Sequence, residues 1–227
     1  YIAVDNEFGA RRKMAIKSHD FAIHVPAKAP NSEAIVDGGE LSPLSVESQT
    51  VILKALQKSS REYQLMFYLA LFTGARLQTI CTLRIKSLIG CELDSHGFIR
   101  LPVGAGTGID SKFQKPMTLL IPNWLAQDLK IYINSEQARQ RRQKSNYGDS
   151  DENYVFLTKL GTPFYTSKVE QQELTEKIKS SDSFGMRLKL YEGEAVRSYL
   201  KVVLLPEMRL IDPQFPSFKF HDLRASF

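Results

Sequence analysis

The stretch Thr73-Gly74-Ala75-Arg76-Leu77-Gln78-Thr79-Ile80-Cys81-Thr82-Leu83-Arg84 decides how this chain is read. Ahead of it, Leu65 to Phe72 forms an unbroken apolar run of eight residues inside a helix that starts at Arg61. A segment so apolar must be buried on most sides. Thr73-Gly74 ends that helix. Leu77, Ile80, Cys81 and Leu83 then recur at helical spacing and predict a short amphipathic helix. Arg76 stands at its start, where free backbone amides favour anions.

Working outward, Ser45 follows Pro43-Leu44 and precedes Val51, Ile52, Leu53, Ala55 and Leu56, which predicts an N-capped helix running to about Ser59. Residues 26–43 hold Pro26, Gly38-Gly39 and Pro43 among small and acidic residues and read as a linker. Residues 1–40 are therefore expected to be a tail or the remnant of another domain, and 41–227 the main domain. Downstream, Phe98 to Val103 and Met117 to Ile121 are strand-like and flank a turn-rich loop, predicting a long β-hairpin. Pro122-Asn123 starts a helix with Trp124, Leu125, Leu129 and Ile133 inward, whose far end carries the basic run 139–144. A strand over 154–158, a helix from about Ser167 to Lys179 and a helix from Leu190 to Leu205 that stops near Pro206 complete the outline. The expected fold class is mainly α with a small antiparallel β-sheet (α+β).

Thirty Lys and Arg against 25 Asp and Glu give a net charge of +5, and 43% hydrophobic with 24% charged residues is the composition of a globular chain, not a disordered one. No apolar run approaches the roughly 20 residues of a membrane span, and no secretory signal opens the sequence. Cys81 and Cys91 are too few for a disulfide framework and have no Cys/His cluster beside them for zinc, so reduced thiols in a cytoplasmic protein are expected. The excess charge is localised: residues 76–150 alone carry a surplus of five. A basic segment of this kind points to a polyanionic partner, although Arg139, Arg141, Arg142 and Lys144 could equally be a solvated helix end. The glycines at 104, 106 and 108 sit in a hairpin, open no helix and lack the ending of a phosphate-binding P-loop.

Thr73-Gly74-Ala75-Arg76 and His221-Asp222-Leu223-Arg224, with strand-Lys-strand between them and Val155-Phe156-Leu157-Thr158-x-x-Gly161-Thr162-Pro163-Phe164 before the second box, resemble the signature of the tyrosine recombinase (phage integrase) family. Each box alone is weak; the ordered combination is fairly specific and covers about 41–227. The resemblance implies a truncated recombinase catalytic domain, with 1–40 the remnant of an N-terminal DNA-binding domain. Arg76 and Arg224 would clamp the non-bridging oxygens of a phosphodiester, a task for rigid, permanently charged planar donors. His221 would bond the phosphate or move the nucleophile's proton, which suits an ordinary pKa of about 6.5. The hairpin lysine would protonate the departing 5′ oxygen; Lys112 is preferred and Lys115 is the alternative. DNA contacts are expected from Arg84, Lys86, Lys115, Arg139, Arg141, Arg142 and Lys144.

The implied function is site-specific recombination (an integrase) of duplex DNA through a 3′-phosphotyrosyl intermediate, by protomers in a tetrameric synapse, without metal or cofactor. A type IB topoisomerase-like enzyme and a non-catalytic DNA-binding module are the alternatives. Two departures stand out. The family's acidic residue three positions after the first arginine is Thr79 here, so another acid is expected to hold Arg76. All nine tyrosines precede His221, whereas the family's nucleophile follows that box, so the nucleophile is expected to be missing from this stretch.

Overall fold

The computed structural model describes residues 41–177 and 189–226 with their side chains, and only the backbone of Ile2–Asp5, Arg11–Met14, Ile35–Val36, Glu40 and residues 178–180. The chain divides into two units, residues 1–32 and 33–227. In the first, β1 (Ile2–Asp5) pairs antiparallel with β2 (Arg11–Met14). The expected tail over 1–40 and linker over 26–43 otherwise lie outside the described residues, up to Glu40.

The second unit is mainly helical. After a short antiparallel pair, β3 (Ile35–Val36) with β4 (Glu40–Leu41), come α1 (Val46–Leu56), α2 (Arg61–Thr73), α3 (Leu77–Cys81) and α4 (Ile85–Ile89). The hairpin of β5 (Phe98–Val103) and β6 (Met117–Pro122) follows, in register from Phe98 opposite Pro122 to Val103 opposite Met117. Then come α5 (Asn123–Asn134), α6 (Glu136–Gln143), α7 (Lys168–Ser180), α8 (Glu194–Tyr199), α9 (Leu205–Ile211) and α10 (Asp222–Ala225). Among the described residues, no helix is long and apolar enough to cross a membrane.

The helix α2 organises this unit because it is apolar nearly all round. Leu65, Met66, Phe67, Leu69 and Ala70 are fully buried, and burying each large side chain contributes roughly 1.5–3 kcal/mol. The helix packs on α3, α5, α10 and β6. Its aromatic face gathers three distant segments. Tyr63 stacks on Tyr199 of α8 with ring centroids 3.7 Å apart and meets Phe164 edge-on at 5.7 Å, while Phe67 meets Phe220 edge-on at 5.0 Å. It stops at Gly74, which adopts φ 62 and ψ 16 and donates its N–H to Ala70 O, a left-handed cap that a Cβ would strain.

Three sequence expectations are corrected. The helix expected to end near Pro206 runs from α8 through a π-helical turn, Leu200–Leu204, into α9 and on to Ile211. Proline cannot donate to the preceding turn and crowds its carbonyl, and the wider π turn absorbs that mismatch where an α-helix would break. The helix expected to carry the basic run breaks at Ser135, whose extended backbone (ψ 148) and side chain, accepting from Ala138 N, start α6 afresh. Residues 154–158 form only isolated bridges, Arg84 with Tyr154 and Leu157 with Pro163. Their partners are a helix end and a turn, each offering one residue of pairing, so no strand propagates.

Candidate active site

The loop joining β5 to β6 is built to hold its residues in place. Gly104 at its base has φ 109 and passes so close to the returning chain that an added Cβ would lie 2.4 Å from Lys115 O. Gly104→Ala is expected to cost about 1–3 kcal/mol from the backbone conformation alone, seen as a lower urea midpoint at unchanged m-value, with the clash adding to it. At the far side of the loop, buried Asp110 accepts from Gln78 Nε2 and Gln114 Nε2, both at 2.9 Å, and from Lys168 N, while its own N–H donates to Thr82 Oγ1. One carboxylate thus ties the loop to α3 and to the start of α7. A short 3-10 turn, Lys112–Gln114, follows; Phe113 and Gln114 sit at positive φ (57 and 56), and Phe113 points into solvent.

The segment carrying His221 is fixed from both sides. Asp222 accepts from Lys219 N at 2.7 Å and from Ser42 N at 3.2 Å, and Ser226 Oγ accepts from Leu44 N at 2.7 Å. Phe220, immediately before His221, is the residue packed on Phe67 of α2. Arg76, His221 and the loop lysine are therefore positioned by one helix and its neighbours.

These elements enclose a cleft of about 250 Å³ whose polar lining is Arg76, Gln78, Lys112, Tyr165, Arg197 and His221. Three sequence-predicted residues, Arg76, Lys112 and His221, come together there from three separate parts of the chain. Lys115 is exposed and outside the lining. Arg224 is half-buried one turn along α10 from His221 and also outside it. Thr79 is buried, so it offers no group to solvent; the buried acid beside this helix is Asp110, held by Gln78. Because α3 is a single turn long, the amide field expected to favour anions at Arg76 is small, since few aligned peptide dipoles stand behind it.

Tyr165 and Arg197 carry no mark in the sequence that assigns them to a site. Tyr165 directly follows the Gly161-Thr162-Pro163-Phe164 stretch, the one local signal that could have drawn attention to it. Arg197 lies on α8 with nothing around it in the sequence to mark it. Burial is the main cause that raises the Tyr165 phenol above its ordinary pKa, Glu192, Asp110 and Glu194 add to it, and Arg197 opposes it. Tyr165 thus remains a neutral hydroxyl at ordinary pH, suited to donating a hydrogen bond and ill suited to attacking as a phenolate.

The basic run divides into buried and exposed cations. Arg141 and Arg142 are buried. Arg141 pairs with Glu62 at 2.7 Å and donates to Leu157 O, while Arg142 pairs with Asp149 at 2.6 Å and donates to Ile133 O. Arg84 is also buried: it donates to Glu152 O and Ser167 Oγ with its guanidinium 3.7 Å from the Tyr154 ring centroid, and Tyr154 in turn hydrogen-bonds Glu170. These three arginines brace the fold: Arg141 and Arg142 pair with carboxylates, and Arg84 is held by a carbonyl, a hydroxyl and an aromatic ring. Lys86 forms an exposed pair with Glu152, Lys144 donates to Lys159 O, and Arg139 is exposed.

Several solved structures are similar to this chain. The XerA recombinase matches at 18% identity over 89% of this chain and 51% of that one, with a TM-score of 0.45. The XerH site-specific recombinase, solved bound to its difH substrate in a pre-cleavage complex, matches at 15% identity over 98% and 55% with a TM-score of 0.41. The Tn1549 transposon integrase, solved in complex with circular intermediate DNA, matches at 17% identity over 81% and 57% with a TM-score of 0.37. This chain spans between 51% and 57% of the length of these three. No family model and no curated protein matches it.

Proposed function

We propose that residues 41–227 form the phosphate-binding part of a tyrosine recombinase catalytic domain, acting on duplex DNA at specific sites. One observation carries the reading: Arg76, Lys112 and His221, picked out by their order in the sequence, line the same cleft. The cleft's cations and neutral donors suit a phosphodiester, whose non-bridging oxygens gain negative charge as the phosphorus is attacked. Arg76 binds those oxygens, and Arg224, on the helix that begins after His221, supplies the second guanidinium.

In this reading the attacking tyrosine follows Arg224 in the whole gene product. Its oxygen forms a bond to phosphorus as the bond from phosphorus to the 5′ oxygen breaks. His221 bonds the phosphate or accepts the phenol proton, and Lys112, on its long flexible stem, protonates the leaving 5′ oxygen. Lys112 is preferred to Lys115 because it lines the cleft. Attack by a 5′ hydroxyl of a second strand reverses these steps and completes the exchange, with four protomers assembled on two duplexes.

The test is to incubate the whole gene product with a nicked suicide duplex and seek a covalent protein–DNA adduct on a denaturing gel. A 3′-phosphotyrosyl adduct at a defined sequence supports the recombinase reading. Relaxation of supercoiled plasmid without a preferred site points to the topoisomerase alternative. Salt-dependent binding with no adduct overturns catalysis and leaves a DNA-binding module.

A further inference from the structure

We infer that Asp110 is the positioning residue of Lys112: its buried carboxylate fixes the turn from which the lysine reaches the departing 5′ oxygen. This rests on the recombinase reading above, in which the bond from phosphorus to that oxygen breaks as the tyrosine oxygen bonds to phosphorus, and the departing oxygen takes its proton from the Lys112 ammonium. A proton passes only within hydrogen-bond reach. Lysine is a point charge on a flexible four-carbon stem, so its reach is defined only if the backbone it hangs from is held.

Asp110 holds that backbone from both sides. The carboxylate, 1% exposed, accepts from Gln78 Nε2 on α3 and, on its other oxygen, from Gln114 Nε2 in the turn, both at 2.9 Å. Lys112 stands between Asp110 and Gln114 in the chain, so this bond closes a ring around it. Lys168 N, at the start of α7, donates to the same carboxylate at 3.1 Å. The backbone is tied to α3 as well: Asp110 N donates to Thr82 Oγ1, which donates to Gln78 O, each at 2.9 Å. Within the turn, Ser111 Oγ donates to Lys115 O at 2.6 Å and Lys115 N to Lys112 O at 3.3 Å. Phe113 and Gln114 lie at positive φ, a conformation such residues keep only where their surroundings over-determine it, and the bond from Gln114 to Asp110 is one such constraint. Since α3 begins directly after Arg76, and Gln78 lines the cleft with Arg76 and Lys112, one acid sets the spacing of the two elements that carry them.

The experiment is single-turnover adduct formation by the whole gene product on two suicide duplexes, one ordinary and one with sulfur in place of the bridging 5′ oxygen at the scissile phosphate. A thiolate leaves without being protonated, so the sulfur duplex has no need of a general acid. Lys112→Ala is expected to slow cleavage of the ordinary duplex by about 10²–10⁴-fold and Asp110→Ala by about 10²-fold, the cost of a displaced group, with both variants near the parent rate on sulfur. A variant that had merely loosened the fold would be slow on both. Gln114→Ala leaves the buried carboxylate bonded to α3 and α7, so it carries the same test if Asp110→Ala does not fold, with a smaller loss confined to the ordinary duplex. Parent-rate cleavage of the ordinary duplex by a folded Asp110→Ala, or by Gln114→Ala where Asp110→Ala does not fold, overturns the assignment, and so does a loss that sulfur does not restore. Lys112→Ala without recovery on sulfur overturns it too, while an adduct from the parent keeps the recombinase reading. No adduct from the parent removes that reading and this inference together.

Discussion

Arg76→Ala in the whole gene product is expected to lower strand cleavage by roughly 10²–10³-fold while weakening duplex binding only severalfold. The asymmetry follows from the role proposed for the side chain. On that reading it is, in the ground state, one phosphate-binding group among many, so its removal costs one counterion's worth of salt-dependent affinity. As phosphorus is attacked, charge concentrates on the oxygens it faces, and a preorganised donor in a cleft is worth far more there than in water. Arg76→Lys keeps the charge but not the planar two-pronged geometry, so it should recover binding more fully than cleavage. The measurement is single-turnover adduct formation on a suicide duplex beside anisotropy binding. Cleavage at the parent rate in Arg76→Ala would remove this residue from the chemistry.

Arg141→Met is expected to destabilise the protein by about 3–5 kcal/mol, lowering Tm by roughly 6–20 °C for a domain of this size. Arg141 and Glu62 are 5% and 3% exposed at 2.7 Å, and Glu62 Oε2 already lacks a hydrogen-bond partner. Removing the guanidinium leaves a buried carboxylate with neither water nor a counter-charge, and it also releases Leu157 O from its donor. The pair itself is not a large source of stability, since desolvating two charges offsets most of their attraction. Glu62→Leu combined with Arg141→Met should therefore recover most of the loss. Its DNA-binding salt slope should equal the parent's, because Arg141 faces inward. A milder result for the single variant, or a shallower slope in the double, would restore Arg141 to the DNA-facing surface.

The two predictions concern arginines that look alike in the sequence and differ in the fold. Arg76 was readable because its neighbourhood is local: an apolar helix, a glycine stop and a short second helix all lie within reach of a few turns, and each is governed by propensity and periodicity. The hairpin was readable for the same reason, and so was the segment opening at His221. The division of the basic run was not readable, because composition counts charges without giving their direction. Ser135 breaks the helix ahead of it and starts α6 afresh, and in α6 Arg141 and Arg142 are buried, where Glu62, brought from α2, and Asp149 meet them. The burial of Arg84 was equally unreadable, its ring partner and hydrogen-bond acceptors lying far along the chain.

Pro206 shows a local rule overridden. The expectation of a helix end was sound for an α-helix, and the chain evades it by widening one turn. Arg197 had no local signal and Tyr165 only the turn before it, since a lining residue is defined by what shares its cleft, and here that is Leu77 and the loop of Lys112.

By itself, then, the sequence determined the order and type of the main elements, the helix stop before Arg76, the hairpin with its lysines and the box at His221, because these depend on interactions between near neighbours. Only the tertiary structure decided which cations share a cleft and which are buried as braces. Aromatic packing on α2 and the pairing of charges across distant segments settle that question, and both depend on contacts that no local pattern encodes.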